Sequence, residues 1–314
     1  MSSLISVNNL TRRYGDAAVV NNISFELAAG EIMGFLGPNG AGKSTTMQML
    51  TGNLAPTLGE ISINGVDLLD SPKIAKASLG YLPETPPLYK EMTVTEYLVF
   101  CARLHLINKS QLKMVCNSAI ERCGLGDVQQ RLIRNLSKGY QQRVGIAQAI
   151  LHSPPVIILD EPTVGLDPIQ ILEIRQLIKN LGQTHGIILC THILPEVQEI
   201  CNRVQIIHQG NLVYSVRMDD ILHQQTTQYE ISLLSTIDKD ALMKHDVFNS
   251  IALVSDNNFL VESDLPADKL SQYIVNQHWG LTRFNRQQIS LEQIFIDLTT
   301  GDNSTNEHNT INTT

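Results

Sequence analysis

"GPNGAGKST", residues 37–45, lies between an apolar run, "EIMGFL" (31–36), and a stretch with helical patterning, "STTMQMLTG" (44–52). Its spacing is G-x-x-x-x-G-K-[ST], and strand, loop and helix in that order are the setting in which this pattern cradles phosphate. Gly37, Gly40 and Gly42 let backbone N–H groups curl around anionic oxygens, with Pro38, Asn39 and Ala41 between them. The helix that follows presents its positive end to the same place. Lys43 is placed to reach the β- and γ-phosphates of a nucleotide. Ser44 offers a hydroxyl to Mg²⁺, and Thr45 adds a phosphate contact.

Outward from this loop the chain carries further short apolar runs: "LGYLPE" (79–84), "VIILDEP" (156–162), "GIILCTH" (186–192) and "RVQIIHQG" (203–210). Continuous apolar strands of this length suit a sheet buried on both faces, and the helical stretches between them predict a parallel α/β core. Alternation in "NISFEL" (22–27) and "GEISINGVDL" (59–68) predicts an antiparallel β subdomain. A block at about 92–150, rich in helical patterns, reads as an inserted helical subdomain. Asp167 and Pro168 start a helix whose apolar stripe is Ile171, Ile174, Ile178 and Leu181, and Gly182 is expected to stop it in a left-handed conformation.

"VIILDEP" ends with two carboxylates at the edge of a parallel sheet where ligands bind. Asp160 fits a metal-holding role, and Glu161 is suited to orient or deprotonate an attacking water. From about residue 226 the pattern restarts with "QYEISLL", "SIALVS", "NFLVES" and "LTRFNRQQ", interleaved with helical stretches. The organisation expected is a nucleotide-binding domain at 1–220, a small α+β accessory domain at 221–300 and a disordered tail at 301–314.

The 314 residues carry a net charge of -8, which argues against a surface built to grip nucleic acid. Cys101, Cys116, Cys123, Cys190 and Cys201 form no CxxC pair, and buried reduced thiols are expected. No signal segment and no bilayer-spanning apolar run is found, which predicts a cytosolic chain.

The phosphate loop, then "LSKGYQQRVGIAQAIL" (136–151), "VIILDEPTVGLDP" (156–168) and "ILCTHILPEV" (188–197), resembles in that order the ATP-binding subunits of ABC transporters. The resemblance covers about residues 4–215. It implies ATP and Mg²⁺ as ligands, an ATPase activity, a separate transmembrane permease and a second ATP-binding subunit, with a homodimer expected. It also implies that "LSKGY" faces the γ-phosphate held by that second subunit, through Ser137 and Gly139. The usual Leu-Ser-Gly-Gly-Gln is altered at Lys138 and Tyr140, so altered edge contacts are expected there.

By the same resemblance Tyr14 stacks on adenine, His192 contacts the γ-phosphate, and Asp167 meets the partner subunit. Glu84 stands where the family commonly has a metal-touching glutamine. The "YLPE" form is similar to that of ABC-2-type exporters, which implies a place on the cytoplasmic face of a membrane through the permease. The rival is a soluble ABC ATPase acting on a ribosome or DNA. A regulatory GTPase is disfavoured because Asn108-Lys109-Ser110-Gln111 lacks the carboxylate of Asn-Lys-x-Asp.

Overall fold

The computed structural model describes residues 3–223, 227–235, 237–255, 257–287 and 290–300. The segment expected to be a disordered tail, 301–314, lies outside the described residues. In chain order the elements are β1 (Ser3–Tyr14), β2 (Ala17–Ala28), β3 (Ile32–Leu36), α1 (Lys43–Leu50), β4 (Leu58–Ile63), β5 (Val66–Asp67), α2 (Pro72–Ala77), β6 (Leu79–Leu82), α3 (Val94–Leu104), α4 (Leu112–Arg122), α5 (Lys138–Ile150), β7 (Val156–Asp160), α6 (Pro168–Gly182), β8 (Gly186–Thr191), α7 (Leu194–Ile200), β9 (Arg203–His208) and β10 (Asn211–Arg217). After them come α8 (Met218–His223), β11 (Gln228–Leu233), α9 (Lys239–Leu242), β12 (Ser250–Ser255), β13 (Asn258–Glu262), α10 (Ala267–Asn276), β14 (Leu281–Arg286) and α11 (Leu291–Thr300).

The chain divides into two compact units, Met1–Met218 with Phe295–Thr314, and Asp219–Ile294. The first boundary falls beside the expected 220, whereas the second divides α11 at Phe295.

In the first unit a six-stranded sheet has the order β10-β9-β3-β8-β7-β6. β3, β6, β7, β8 and β9 are mutually parallel, and β10 closes one edge antiparallel to β9. Every residue of β3, β7 and β8 is buried, which is why these strands read as unbroken apolar runs. A second, antiparallel sheet, β2-β1-β4-β5, packs Ile23, Phe25, Leu27, Ile61 and Ile63 into a shared core.

α3, α4 and α5 form the insertion between β6 and β7. α3 starts at a reciprocal cap in which the Glu96 N–H donates to Thr93 Oγ1 at 3.2 Å and the Thr93 N–H donates to Glu96 Oε2 at 2.8 Å. α6 starts as expected, with the Gln170 N–H donating to Asp167 Oδ1 at 2.9 Å. Its buried face is Ile174, Leu177, Ile178 and Leu181, each contributing roughly 1.5–3 kcal/mol by leaving water.

Gly182 does not stop α6 by a left-handed turn: it is the last helical residue, and its φ is not positive. A Cβ there would run into Ile32 of β3, so the glycine is required by close helix–sheet approach.

The second unit follows a β-α-β-β-α-β succession with the antiparallel order β12-β13-β11-β14, a ferredoxin-like arrangement. Tyr229, Ile231 and Leu233 alternate inward along β11 and pack with Phe259, Val261, Leu270 and Ile274.

Candidate functional site

β3, β7 and β8 are neighbours in the parallel sheet, so the loops leaving their C-terminal ends meet at one edge. The β3 loop holds the phosphate motif. Gly40 and Gly42 have φ of 81° and 109°, values that side chains with a Cβ rarely adopt. A Cβ on Gly37 would strike the Ile207 carbonyl. Lys43 is buried at the start of α1, its Nζ donating to the carbonyls of Gly37 at 2.7 Å and Pro38 at 3.2 Å. An ammonium has three donors, which leaves one for a ligand.

A cleft of about 400 Å³ opens over this loop. Asn39, Gly40, Gly42, Lys43, Ser44 and Thr45 of the loop line it together with Glu84, Glu161 and His192. Gly37, Pro38 and Ala41 complete the loop.

Asp160 is the last residue of β7, and Glu161 is the first beyond it. The Glu161 N–H donates to the Cys190 carbonyl of β8 at 2.8 Å, and Glu161 takes a left-handed φ of 49°, which turns the chain out of the sheet. His192, directly after β8, is hydrogen-bonded through Nδ1 to Glu161 Oε1 at 2.8 Å. The second oxygen, Glu161 Oε2, is buried with no hydrogen-bond partner among the described residues.

Asp160 Oδ1 is likewise buried and unpartnered among the described residues. Burial pushes the Asp160 carboxyl up; the Cys190 thiol's hydrogen bond opposes this, the charges of Glu161 and Glu84 add to the rise, and Lys43 counters it. A buried carboxylate oxygen at the strand end, next to the cleft lined by Ser44 and Glu84, fits a hard cation. No group of three or more His, Cys, Asp or Glu side chains able to hold a metal is found among the described residues. Mg²⁺ is commonly held by one or two protein groups together with phosphate oxygens, and Asp160 and Ser44 offer oxygens of that kind.

Tyr14, Ser137 and Gly139 belong neither to the lining of this cleft nor to the loop and strand end that form it. Tyr14 ends β1, half-exposed, with the Arg12 guanidinium 4.6 Å from its ring centre. Ser137 is exposed and caps α5, accepting from the Tyr140 N–H at 3.4 Å. Gly139 lies against Gln170, whose side chain a Cβ would strike, and Lys138 reaches over Gly165 in the loop before α6. The altered residue of the signature stretch therefore touches the segment that follows Glu161.

Residues 20–164 match the ABC transporter family. The chain is 34% identical over 305 residues to the bacitracin transport ATP-binding protein BcrA of Bacillus licheniformis, covering 96% of this chain and 99% of that one. The chain belongs to the ABC transporter ATP-binding proteins. It is 34% identical over 232 residues to the ABC transporter ATP-binding protein NatA of Bacillus subtilis, covering 72% of this chain and 94% of that one. A solved ATP-binding subunit of an ABC transporter superposes with a TM-score of 0.64 at 34% identity, over 71% of this chain and 93% of that one. This chain is accordingly an ATP-binding, ATP-hydrolysing subunit of an ABC transporter.

One group in the structure was missed by the reading of the sequence. Glu196, quoted within "ILCTHILPEV", is fully buried beneath the His192 loop and bonded to two threonines. Its only sequence signal is a carboxylate in the first turn of a short helix, which ordinarily marks a solvated helix start.

Proposed function

We propose that this subunit binds MgATP over the β3 loop, hydrolyses it with Glu161 as base, and drives a separate permease of the ABC-2 exporter type. The observation that carries this is the Glu161–His192 pair facing the phosphate loop across one cleft. The loop N–H groups and Lys43 hold the β- and γ-phosphates. His192 engages Glu161 Oε1 and so leaves Oε2 to take a proton from water. A ring carrying hydrogen on both nitrogens would also donate from Nε2 to the γ-phosphate. Ser44, Asp160 and Glu84 would hold Mg²⁺, which neutralises charge on the phosphate oxygens.

Ser137 and Gly139 stand outside the cleft of their own chain, which supports their serving a second copy. There the Ser137 hydroxyl and the start of α5 face the γ-phosphate of the partner's loop. Tyr14 supplies the surface for adenine.

No helix of the described residues is long and apolar enough to cross a membrane, and we assign the pore to a separate permease. A groove of about 690 Å³, lined among others by Leu79, Tyr81, Pro83, Pro87 and His105, adjoins the loop that carries Glu84 into the nucleotide cleft. A cytoplasmic segment of the permease seated in that groove would feel the state of the cleft through residues 83–87. On this reading the subunit sits on the cytoplasmic face of the membrane.

The exporter branch rests on the "YLPE" loop and on relatives that include BcrA and the linearmycin resistance ATP-binding protein LnrL of Bacillus subtilis, 29% identical over 94% of this chain and 98% of that one. The test is coexpression with a neighbouring-gene membrane chain of about six apolar helices. Copurification, with ATP hydrolysis in vesicles that Glu161→Gln abolishes, is expected. Copurification with ribosomes or DNA in place of that chain would refute the proposal.

A further inference from the structure

The Glu161–His192 pair is held from behind by a single buried carboxylate. Glu196, in the first turn of α7, has no exposed surface. Its Oε1 accepts from the Thr163 hydroxyl, and its Oε2 accepts from the Thr191 hydroxyl at 3.1 Å. Thr191 Oγ1 accepts in turn from the Ile193 N–H at 3.1 Å, which directs its own proton to Glu196. Arg175 Nη2 stands 3.9 Å from Oε1, though its guanidinium also pairs with Glu199 at 2.7 Å.

The connectivity closes a ring. Thr163 lies two residues after Glu161, and Thr191 immediately precedes His192. Glu161 and His192 are bonded to each other at 2.8 Å on the cleft side, and Glu196 joins their two loops on the far side. A carboxylate withdrawn from water costs several kcal/mol unless fully hydrogen-bonded. A threonine-for-threonine tie between the loops could have been made by apolar packing alone at lower cost. What a two-oxygen acceptor adds is a fixed separation: both loops are set by one rigid planar group, and neither hydroxyl can turn away without leaving a buried oxygen unpaired.

We propose that Glu196 is a positioning residue for hydrolysis, fixing the loop of Glu161 against the loop of His192 so that Glu161 Oε2 faces the attacking water. It touches neither nucleotide nor metal and acts through Thr163 and Thr191. This rests on Glu161 being the base.

The test uses the full chain carrying Glu196→Gln, Thr163→Val or Glu161→Gln, and the double variant Glu161→Gln/Glu196→Gln. Steady-state kcat and KM for ATP are measured together with the thermal midpoint. Misplacing a reacting group by a fraction of an ångström to an ångström costs on the order of ten- to a hundredfold. Glu196→Gln, which keeps the shape but only one carbonyl oxygen, is therefore expected to lower kcat about tenfold or more with KM for ATP within about threefold.

Thr163→Val is expected to do the same and covers the case in which Glu196→Gln does not fold. In the Glu161→Gln background, Glu196→Gln should leave the residual rate unchanged, because the group it positions is no longer a base. Unchanged kcat in the folded single variants overturns the proposal. So does an equal loss in the Glu161→Gln background, or a rise in KM that parallels the fall in kcat. If Glu161→Gln alone hydrolyses ATP at the wild-type rate, it is the assignment of the base that fails.

Discussion

Replacing Glu161 by glutamine should arrest hydrolysis while leaving ATP binding intact, and the structure says by how much. The backbone there is left-handed at φ 49°, a conformation glutamine bears no worse than glutamate, so the turn out of β7 is kept. The amide oxygen can still accept from His192 Nδ1, preserving the 2.8 Å contact across the cleft. What disappears is the basic oxygen at Oε2, buried and unpartnered among the described residues. A positioned base contributes on the order of 10²–10⁴ in rate, or about 3–5 kcal/mol of barrier. The expected result is a kcat lowered by that factor, KM for ATP within about threefold, and a thermal midpoint within a few degrees of wild type. Phosphate release measured alongside equilibrium nucleotide binding separates the two effects, and ATP-dependent pairing of subunits should accumulate. A normal rate of phosphate release from Glu161→Gln would refute its assignment as base; a parallel loss of binding would show that the residue supports the loop instead.

Lys43→Ala is expected to lower ATP affinity by at least about tenfold, since it removes a charged donor worth about 1.5–3 kcal/mol to phosphate; equilibrium binding of a fluorescent nucleotide checks this. If Ser137 serves the opposite subunit, mixing inactive Lys43→Ala with inactive Ser137→Arg should restore ATPase activity to at most about a quarter of wild type, because a mixed pair holds one undamaged composite site. Neither turnover nor ATP-dependent association in the mixture, with both proteins folded, would count against the trans role. His152, stacked on His105 with ring centres 4.1 Å apart, is pushed down by burial from 6.5 to about 4, with His105 adding to the shift. Its unfolded form binds the extra proton first, so its contribution to stability is present above about 6.5 and is lost as pH falls towards 4. The thermal midpoint of His152→Asn should fall less steeply over that window than wild type, and equal slopes would show that the pair carries no such linkage.

The nucleotide fold was legible because its signals are local. Glycines at fixed offsets, the buried runs around 32–36, 156–160 and 186–191, and carboxylates at a strand end each mark a backbone requirement that short sequence windows express. Asp160, Glu161, Lys43 and His192 could be named before any coordinate was known, and the structure gathers them at one edge of the sheet. The cap at Asp167 was equally local, because its side chain bonds a backbone N–H only three residues away.

Only the tertiary structure decided what depends on residues distant in sequence. Gly182 is glycine because Ile32, 150 positions earlier, lies against it, a constraint no window around residue 182 contains. Strand β1 (Ser3–Tyr14) was not foreseen, since its pairing with β2 and β4 passes through several register shifts that break the alternation. Glu196 shows the limit most plainly. A charged residue in a helical first turn is ordinarily read as exposed, and what reverses that here is the convergence on its two oxygens of Thr163, from the turn after β7, and Thr191, from the end of β8. Sequence fixes which groups are available to bind and cut a phosphate; the packing of β7 against β8 decides which of them are held still.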